Sequence, residues 1–484
     1  MVWNDKRTKI AVILLLSVGV FLRFYFYFGH VYSDDAYYNY LAYTLYNGNY
    51  GADYIGYPIL RRIGQSAITA FSFKLFGTNE TATTVFPFLF SIINMVLCYK
   101  ITKVITKSEI SAVIVLLFTV FYPTEILFAS VAFTDLFSTV FINSGILLLF
   151  LANRDKKLWY SVLAGVLFMM SVVFKINVFY TSLLLAGLFI YQLYVRNTFN
   201  KYIFISLSVL GLGIFIEGVI YYLINGDFFY RIAATGTASN FSHNDFFVEG
   251  SRVGYTKGNY LSALSKLLFI ENPKALFLRR SMLFIPFIAM LELIIYRKKR
   301  HNKLVVYWFL GLVFLYLFFT MSLTAYKPNV LRFTWYLFPL FLPSMILASR
   351  FFIEMKKAWM FLLLALYVFY SLQMTQHFRD YFEMSHINKF NAFLKNNSER
   401  VIYTDHFTKY SIDLIDGHKE DHRTKRLYHS EQNIIPSGSL IVYHTGHINE
   451  LSAQGFSYPV ESFYRSSDFI ELKRFGPFII FEKL

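Results

Sequence analysis

The sequence predicts an α-helical polytopic membrane protein, of about eleven spans, with a small α/β domain at its C-terminal end. Three observations predict it. The 484 residues are 56% hydrophobic and only 16% charged, whereas a soluble chain carries about 25% charge. The apolar runs are too long for soluble core helices, and many approach the ~20 residues a bilayer demands. Basic clusters also recur in alternate loops, as orientation by positive charge requires.

The first span, 10–28, follows Lys6, Arg7 and Lys9, which places its start in the cytoplasm. Bulky residues from Tyr25 to Tyr32 leave no small-residue cleavage site, so it is expected to stay as an uncleaved anchor. The stretch 29–81 then lies outside, carrying Asp34, Asp35 and Asp53. Tyr38, Leu41, Ala42 and Leu45 recur at helical spacing and predict an amphipathic helix over 35–46, ended by Asn47-Gly48. The segment 58–76 is apolar but interrupted by Arg61, Arg62, Gly64, Gln65 and Lys74. Were it a span, every later loop would change sides and Arg297–Lys303 would lie outside. It is therefore expected as a juxtamembrane helix on the outer surface.

The remaining spans are expected at 82–99, 108–123, 136–152, 158–174, 176–195, 202–224, 276–296, 304–322, 333–352 and 358–376. Lys100/Lys103/Lys107, Arg154/Lys156/Lys157, Arg196/Lys201, Arg297–Lys303 and Arg350/Lys356/Lys357 then all fall inside. A long exterior loop, 225–275, has the glycine-rich, polar and aromatic character of a lid or binding element. Residues 1–376 carry 33 basic and 16 acidic side chains, and residues 377–484 carry 13 and 14. The positive excess thus belongs to the membrane part and reads as topology, with no nucleic-acid partner.

The extracytoplasmic domain, 377–484, should open with a helix over 378–394 and hold strands at 400–404, 439–443 and 478–481. It contains eight of the eleven histidines without an HExxH pair, the pattern of surface residues rather than a metal site. Cys98, the only cysteine, excludes an intramolecular disulfide and reads as a small apolar residue.

Charged groups near the outer leaflet carry the chemistry. Adjacent Asp34 and Asp35 repel each other, and a general base or a cation site is a chemical reason for them. Asp135 opens the fourth span, where helix capping is the structural alternative. Lys175 lies where the chain turns outside, and Arg332 at the outer start of the tenth span; either could be a helix-end anchor or a phosphate ligand. Arg23 and Glu217 lie inside spans, where an ionised group costs about 2.5–3.5 kcal/mol; Glu217 has no assignment beyond facing the bundle. Acids and cations at one membrane face suit transfer from a lipid-linked phosphate. The phosphate needs cationic neutralisation as it leaves, and the acceptor hydroxyl needs a base.

The strings SDDAYYNYLAYTLYNGNY, GYPILRRIGQSAITAFSFKLFG, YPTEILFASVAFTDLF, SVVFKINVFY and RFTWYLFPLF, in this order, resemble the GT-C integral-membrane glycosyltransferases. The likeness is to the branch with the bacterial aminoarabinose transferase of lipid A and the protein O-mannosyltransferases. It implies transfer of one sugar from a polyprenyl-phosphate donor to an acceptor at the outer face, with inversion. By resemblance Asp34 or Asp35 is the catalytic carboxylate, with Asp34 favoured as the first of the pair. Asp135 matches a second acidic position, and Lys175 and Arg332 match lipid-phosphate positions. A divalent ion, where one is used, would be held by Asp34, Asp35 and Asp135 through oxygen; some members of the class need none. The composition suggests an AT-rich bacterial genome, hence undecaprenyl phosphate as carrier and the cytoplasmic membrane as location. The acceptor would be an envelope glycan, lipid or protein. A flippase of lipid-linked saccharides is the alternative from another class, but it should carry charge at mid-membrane and on both faces. A polymerase or ligase of lipid-linked glycans would share the phosphate chemistry.

Overall fold

The computed structural model describes residues 5–48, 63–175, 179–231, 273–296, 302–318, 338–418, 423–427, 435–446, 463–464 and 466–484. Helix α1 (Asp5–Tyr25) is followed by two helices, α2 (Asp34–Tyr46) and α3 (Ile63–Phe76), where exterior helices were expected. Then come α4 (Glu80–Thr106), α5 (Glu109–Val120), a short α6 (Pro123–Phe128), α7 (Thr134–Asp155) and α8 (Leu158–Phe174). They are followed by α9 (Phe179–Tyr194), α10 (Lys201–Asn225), α11 (Pro273–Ile295), α12 (Lys303–Phe318), α13 (Phe338–Glu354) and α14 (Lys357–Tyr381). An apolar helix thus stands at each segment expected to span. Among the described residues, five helices are long and apolar enough to cross a membrane by length and composition: α1, α4, α7, α10 and α14.

Local chemistry sets the ends. The Asn79 side chain accepts from the Ala82 amide at 2.9 Å, and Asn200 caps α10 in the same way. Lys107, Lys156 and Gly226 close α4, α7 and α10 in the left-handed region, with φ of 56°, 57° and 72°.

The bundle core is aromatic and aliphatic, with Phe118, Phe352 and Tyr367 meeting edge to face. One polar network is sealed inside it. Arg23 of α1 is fully buried and donates to the Ser91 hydroxyl at 2.5 Å and to the Gly19 carbonyl at 3.0 Å. Ser91 and Asn94 donate to the two carboxylate oxygens of Glu125, at 3.0 and 3.1 Å. Asn143 donates to Asn94 at 3.0 Å. Arg23 lies 3.8 Å from Glu125. The network joins α1, α4, α6 and α7, and it is the physical reason two ionisable side chains persist inside an apolar bundle.

The single helix expected over 378–394 is two. Helix α14 runs to Tyr381, Glu383 turns the chain at φ 52°, and α15 (Met384–Asn396) restarts. Phe382, at the break, packs edge to face on Phe28. Beyond lie β1 (Ile402–Thr404), α16 (His406–Ile415), β2 (Thr424–Arg426), β3 (Leu440–His444), β4 (Phe469–Phe475) and β5 (Phe478–Lys483). The sheet has five strands in the order β2-β1-β3-β5-β4. The β2, β1 and β3 strands are parallel, while β5 pairs antiparallel with β3 and β4.

This sheet domain packs against the segment that runs from the α1–α2 corner to the start of α4. Tyr40 of α2 stacks on Tyr410 of α16 and Tyr43 stacks on His418, both with ring centroids 3.9 Å apart. The Thr78 hydroxyl donates to the Gly417 carbonyl at 2.8 Å, and Tyr32 donates to Asn391 at 2.7 Å.

Candidate active site

The segment between α1 and α2 is pinned residue by residue. Phe28 N–H donates to the Ser130 hydroxyl at 3.0 Å, and His30 N–H to the Glu80 carboxylate at 3.1 Å. Gly29 has φ +71°, and a Cβ there would meet Glu80 Oε1 at 2.3 Å, so only glycine fits the corner.

Asp35 is the keystone of this corner. It is buried; Val31 N–H donates to Oδ2 at 2.8 Å and Ser33 N–H to Oδ1 at 2.7 Å. His30 Nδ1 stands 2.7 Å from Oδ2. Burial pushes the carboxyl up, but the His30 charge and hydrogen bond and the two backbone amides outweigh it and hold it below the usual carboxylate range. Asp34 begins α2 beside it and is exposed, at the helix end whose dipole favours a carboxylate. The two aspartates therefore divide: one is consumed in shaping the corner, and the other faces outward. Burial pushes the neighbouring Tyr32 hydroxyl well above its usual range, with the charge of Glu80 adding to it, so it acts as a neutral donor to Asn391.

Asp135 and Lys175 come together, although 40 residues separate them. The Lys175 ammonium donates to Asp135 Oδ1, and both residues are buried, at 5% and 8% exposure. Asp135 sits in the first turn of α7, whose cap residue is Phe133, so it is not the cap itself. Lys175 follows the last residue of α8, in extended backbone at φ −154° and ψ 118°.

Helix α3 links the two places. A Cβ at Gly64, in its first turn, would meet the ring of Phe174 at 2.8 Å, so α3 rests on the residue before Lys175. Its other half packs on α2 through Phe73, whose ring lies 6.5 Å from that of Tyr46, and through Ala70 beside Ala42. Several buried polar atoms here have no hydrogen-bond partner: His30 Nε2, Gln65 Oε1, Ser66 Oγ, Thr134 Oγ1 and Tyr316 Oη. Tyr316 lies within electrostatic reach of Asp135. Such atoms call for a ligand or water.

Arg332 lies outside the described residues, as do Asp53 and most of the loop expected over 225–275. Among the described residues no three His, Cys, Asp or Glu side chains gather as a metal ligand set. Both Asp35 oxygens already accept hydrogen bonds and Asp135 accepts from Lys175, so Asp34, Asp35 and Asp135 do not fit as one three-carboxylate cation site. Sequence reasoning missed His30, Glu80, Glu125 and Arg231. A Glu within an apolar run, as in YPTEILF, was the available signal for Glu125.

ArnT from Cupriavidus metallidurans bound to undecaprenyl phosphate superposes with a TM-score of 0.59 at 10% identity, covering 98% of each chain. Its apo state gives 0.58, with the same coverage. The chain has the GT-C fold. The family model described as dolichyl-phosphate-mannose-protein mannosyltransferase matches residues 63–243, a stretch that holds Asp135 and Lys175 and begins after Asp34 and Asp35. The archaeal oligosaccharyltransferase AglB from Archaeoglobus fulgidus, in complex with an inhibitory peptide and a dolichol-phosphate, aligns at 11% identity and a TM-score of 0.49, over 99% of this chain and 74% of its own. No curated protein matches the chain by sequence. The GT-C resemblance expected from the motifs therefore holds at the level of fold.

Proposed function

We propose that this GT-C chain transfers a hexosyl or pentosyl unit from a polyprenyl-phosphate donor to an acceptor hydroxyl at the outer face of a bacterial cytoplasmic membrane, with undecaprenyl phosphate as the carrier. The observation that supports it most is the buried Lys175–Asp135 pair beside the α3 helix that also carries α2 and its aspartates. Lys175 is the cation for the donor phosphate, and Asp135 holds its ammonium in place. Arg332 is proposed as a second phosphate ligand.

Asp34 is the general base. The acceptor oxygen attacks the anomeric carbon from the face opposite the phosphate, and its proton passes to the Asp34 carboxylate. The bond from the anomeric carbon to the phosphate oxygen breaks with inversion, and polyprenyl phosphate leaves with both electrons. Lys175 neutralises the charge that develops on it. Asp35 keeps the corner rigid rather than exchanging protons, since its oxygens are engaged. The acceptor is proposed to be an envelope glycan, lipid or protein, approached from the side of the α/β domain.

The test has two arms. Purified protein in detergent, given an undecaprenyl-phosphate-linked sugar and an envelope extract, should release undecaprenyl phosphate with loss of donor. Mass spectrometry of envelope material from cells with and without the protein should show one sugar missing. Donor that crosses a proteoliposome membrane intact, with no phosphate carrier released, would replace this reading with a flippase.

A further inference from the structure

Helix α10 keeps an ionisable residue, Glu217, about two turns before its end, and transfer of sugar from phosphate gives it no role. Its partner is Arg231, just past the helix. The route between them is built in steps. Gly226 closes α10 in the left-handed region with φ +72°. The Asp227 carboxylate accepts from Phe229 N–H at 2.8 Å, and Tyr230 N–H donates to the Asp227 carbonyl at 3.2 Å, so the chain curls back. A Cβ at Gly218 would meet the Phe228 ring at 2.4 Å, so the missing side chain makes room for the returning segment. The return sets Arg231 Nη1 2.6 Å from Glu217 Oε1, with Tyr221 donating to the same oxygen at 3.2 Å.

The other arm of the guanidinium reaches a different helix. Arg231 Nη2 donates to the Val172 carbonyl, in the last turn of α8 and three residues before Lys175. Helix C-termini leave carbonyls without intrahelical donors, and a cation there satisfies one and complements the dipole. Helices α8 and α10 run parallel in close register. A Cβ at Gly165 would meet the Ser206 carbonyl at 2.5 Å, and one at Gly213 would meet Met169 at 2.7 Å. One turn further on, Val172 meets Glu217 through Arg231. The glycines let the backbones approach, and the clamp fixes the end of the shared seam.

We propose that Glu217 and Arg231 are positioning residues that hold the α8 terminus so that Lys175 presents its ammonium to the donor phosphate. This rests on the reading that Lys175 binds that phosphate. The observation behind it is one guanidinium joining a carboxylate of α10 to the carbonyl one turn before Lys175.

A double-mutant cycle tests it, with undecaprenyl phosphate as probe and its dissociation constant from the purified full chain as readout. Glu217→Gln should weaken binding about five- to ten-fold in the parent and less than about 1.5-fold in the Lys175→Gln background, because coupled residues are not additive. Equal weakening in both backgrounds, or none in the parent, overturns the proposal. If Lys175→Gln itself leaves binding unchanged, the phosphate reading fails and the proposal falls with it, a result distinct from the other two. Should Glu217→Gln fail to insert as a monodisperse protein, Arg231→Gln enters the same cycle with the same expectations, and Arg231→Lys, which cannot fork, should stay weak.

Discussion

Asp34 and Asp35 are neighbours with opposite surroundings, and their variants should separate cleanly. Asp34 is exposed at a helix start, so Asp34→Asn should leave insertion intact and cost no more than about 1 kcal/mol of stability, the scale of a helix-dipole contribution. As a base it should cost about 10²–10⁴-fold in turnover, the range for general-base removal; carrier release at the parental rate in this variant would remove Asp34 from the chemistry. Asp35 is buried between His30 and two backbone amides. Asp35→Asn should cost about 3 kcal/mol of stability, the scale for breaking a buried pair, read as a lower unfolding midpoint in detergent. Because its carboxyl is held below the ordinary range, the stability it confers is complete above about pH 4 and is lost as pH falls through the depressed folded value. Parent protein should therefore lose thermal stability on acidification below about pH 4, and Asp35→Asn should flatten that limb. The sequence named Asp34, Asp35, Asp135 and Lys175 from their order and placement. It could not say which aspartate is spent on structure, because His30 and the amides of Val31 and Ser33 act through a corner that exists only once folded. Nor could it say that Lys175 and Asp135 bond, since no local pattern links residues 40 apart.

At the scale of elements, the α8–α10 seam makes a paired prediction. Gly165→Ala drives a Cβ to 2.5 Å from the Ser206 carbonyl, a backbone atom that cannot swing away. Separation of the helices should cost about 1–3 kcal/mol, as for overpacking elsewhere. Gly211→Ala, where nothing lies within 4 Å, should be neutral or gain up to about 1 kcal/mol from helix propensity. Unfolding midpoints of the two variants check both; equal midpoints would mean the seam is looser than drawn. The same scale explains which strands the sequence revealed. The three expected strands became β1, β3 and β5, the interior of the sheet, whose apolar runs announce burial. The two missed, TKR at Thr424–Arg426 and FIELKRF at Phe469–Phe475, are its edges. Edge strands carry charge to discourage further pairing, and charge hides the alternation by which a strand is recognised. The break at Phe382–Glu383 was also silent, since no glycine or proline marks it.

For the whole molecule, the contacts between α2 and α16 require both on one side of the bilayer. With Cys98 replaced by serine, a membrane-impermeant maleimide on intact cells should label cysteines at exposed Asn47 and Lys425, and should label one at Lys107 only after permeabilisation. Labelling of 47 and 425 from different sides would dismantle both the expected topology and the packing of α2 on the sheet domain. The alternating basic loops made the bundle legible because each apolar helix declares itself in isolation. The interface between α2 and the sheet domain was not legible. It is made of tyrosines and a histidine that look like ordinary surface residues until their stacking partners are known.

Tyr32 bonds to a residue 359 positions later, and Thr78 to one 339 positions later. The aromatic face of the aspartate corner is covered by residues remote from it in sequence, Phe390 of α15 and Phe478 of β5, so it stays bare until both have been made. A chain with β5 disrupted should keep its helices yet expose Tyr32 and its neighbours to proteases. The corner that carries Asp34 and Asp35 thus depends on the sheet for its shape, and damage to β5 should be felt there.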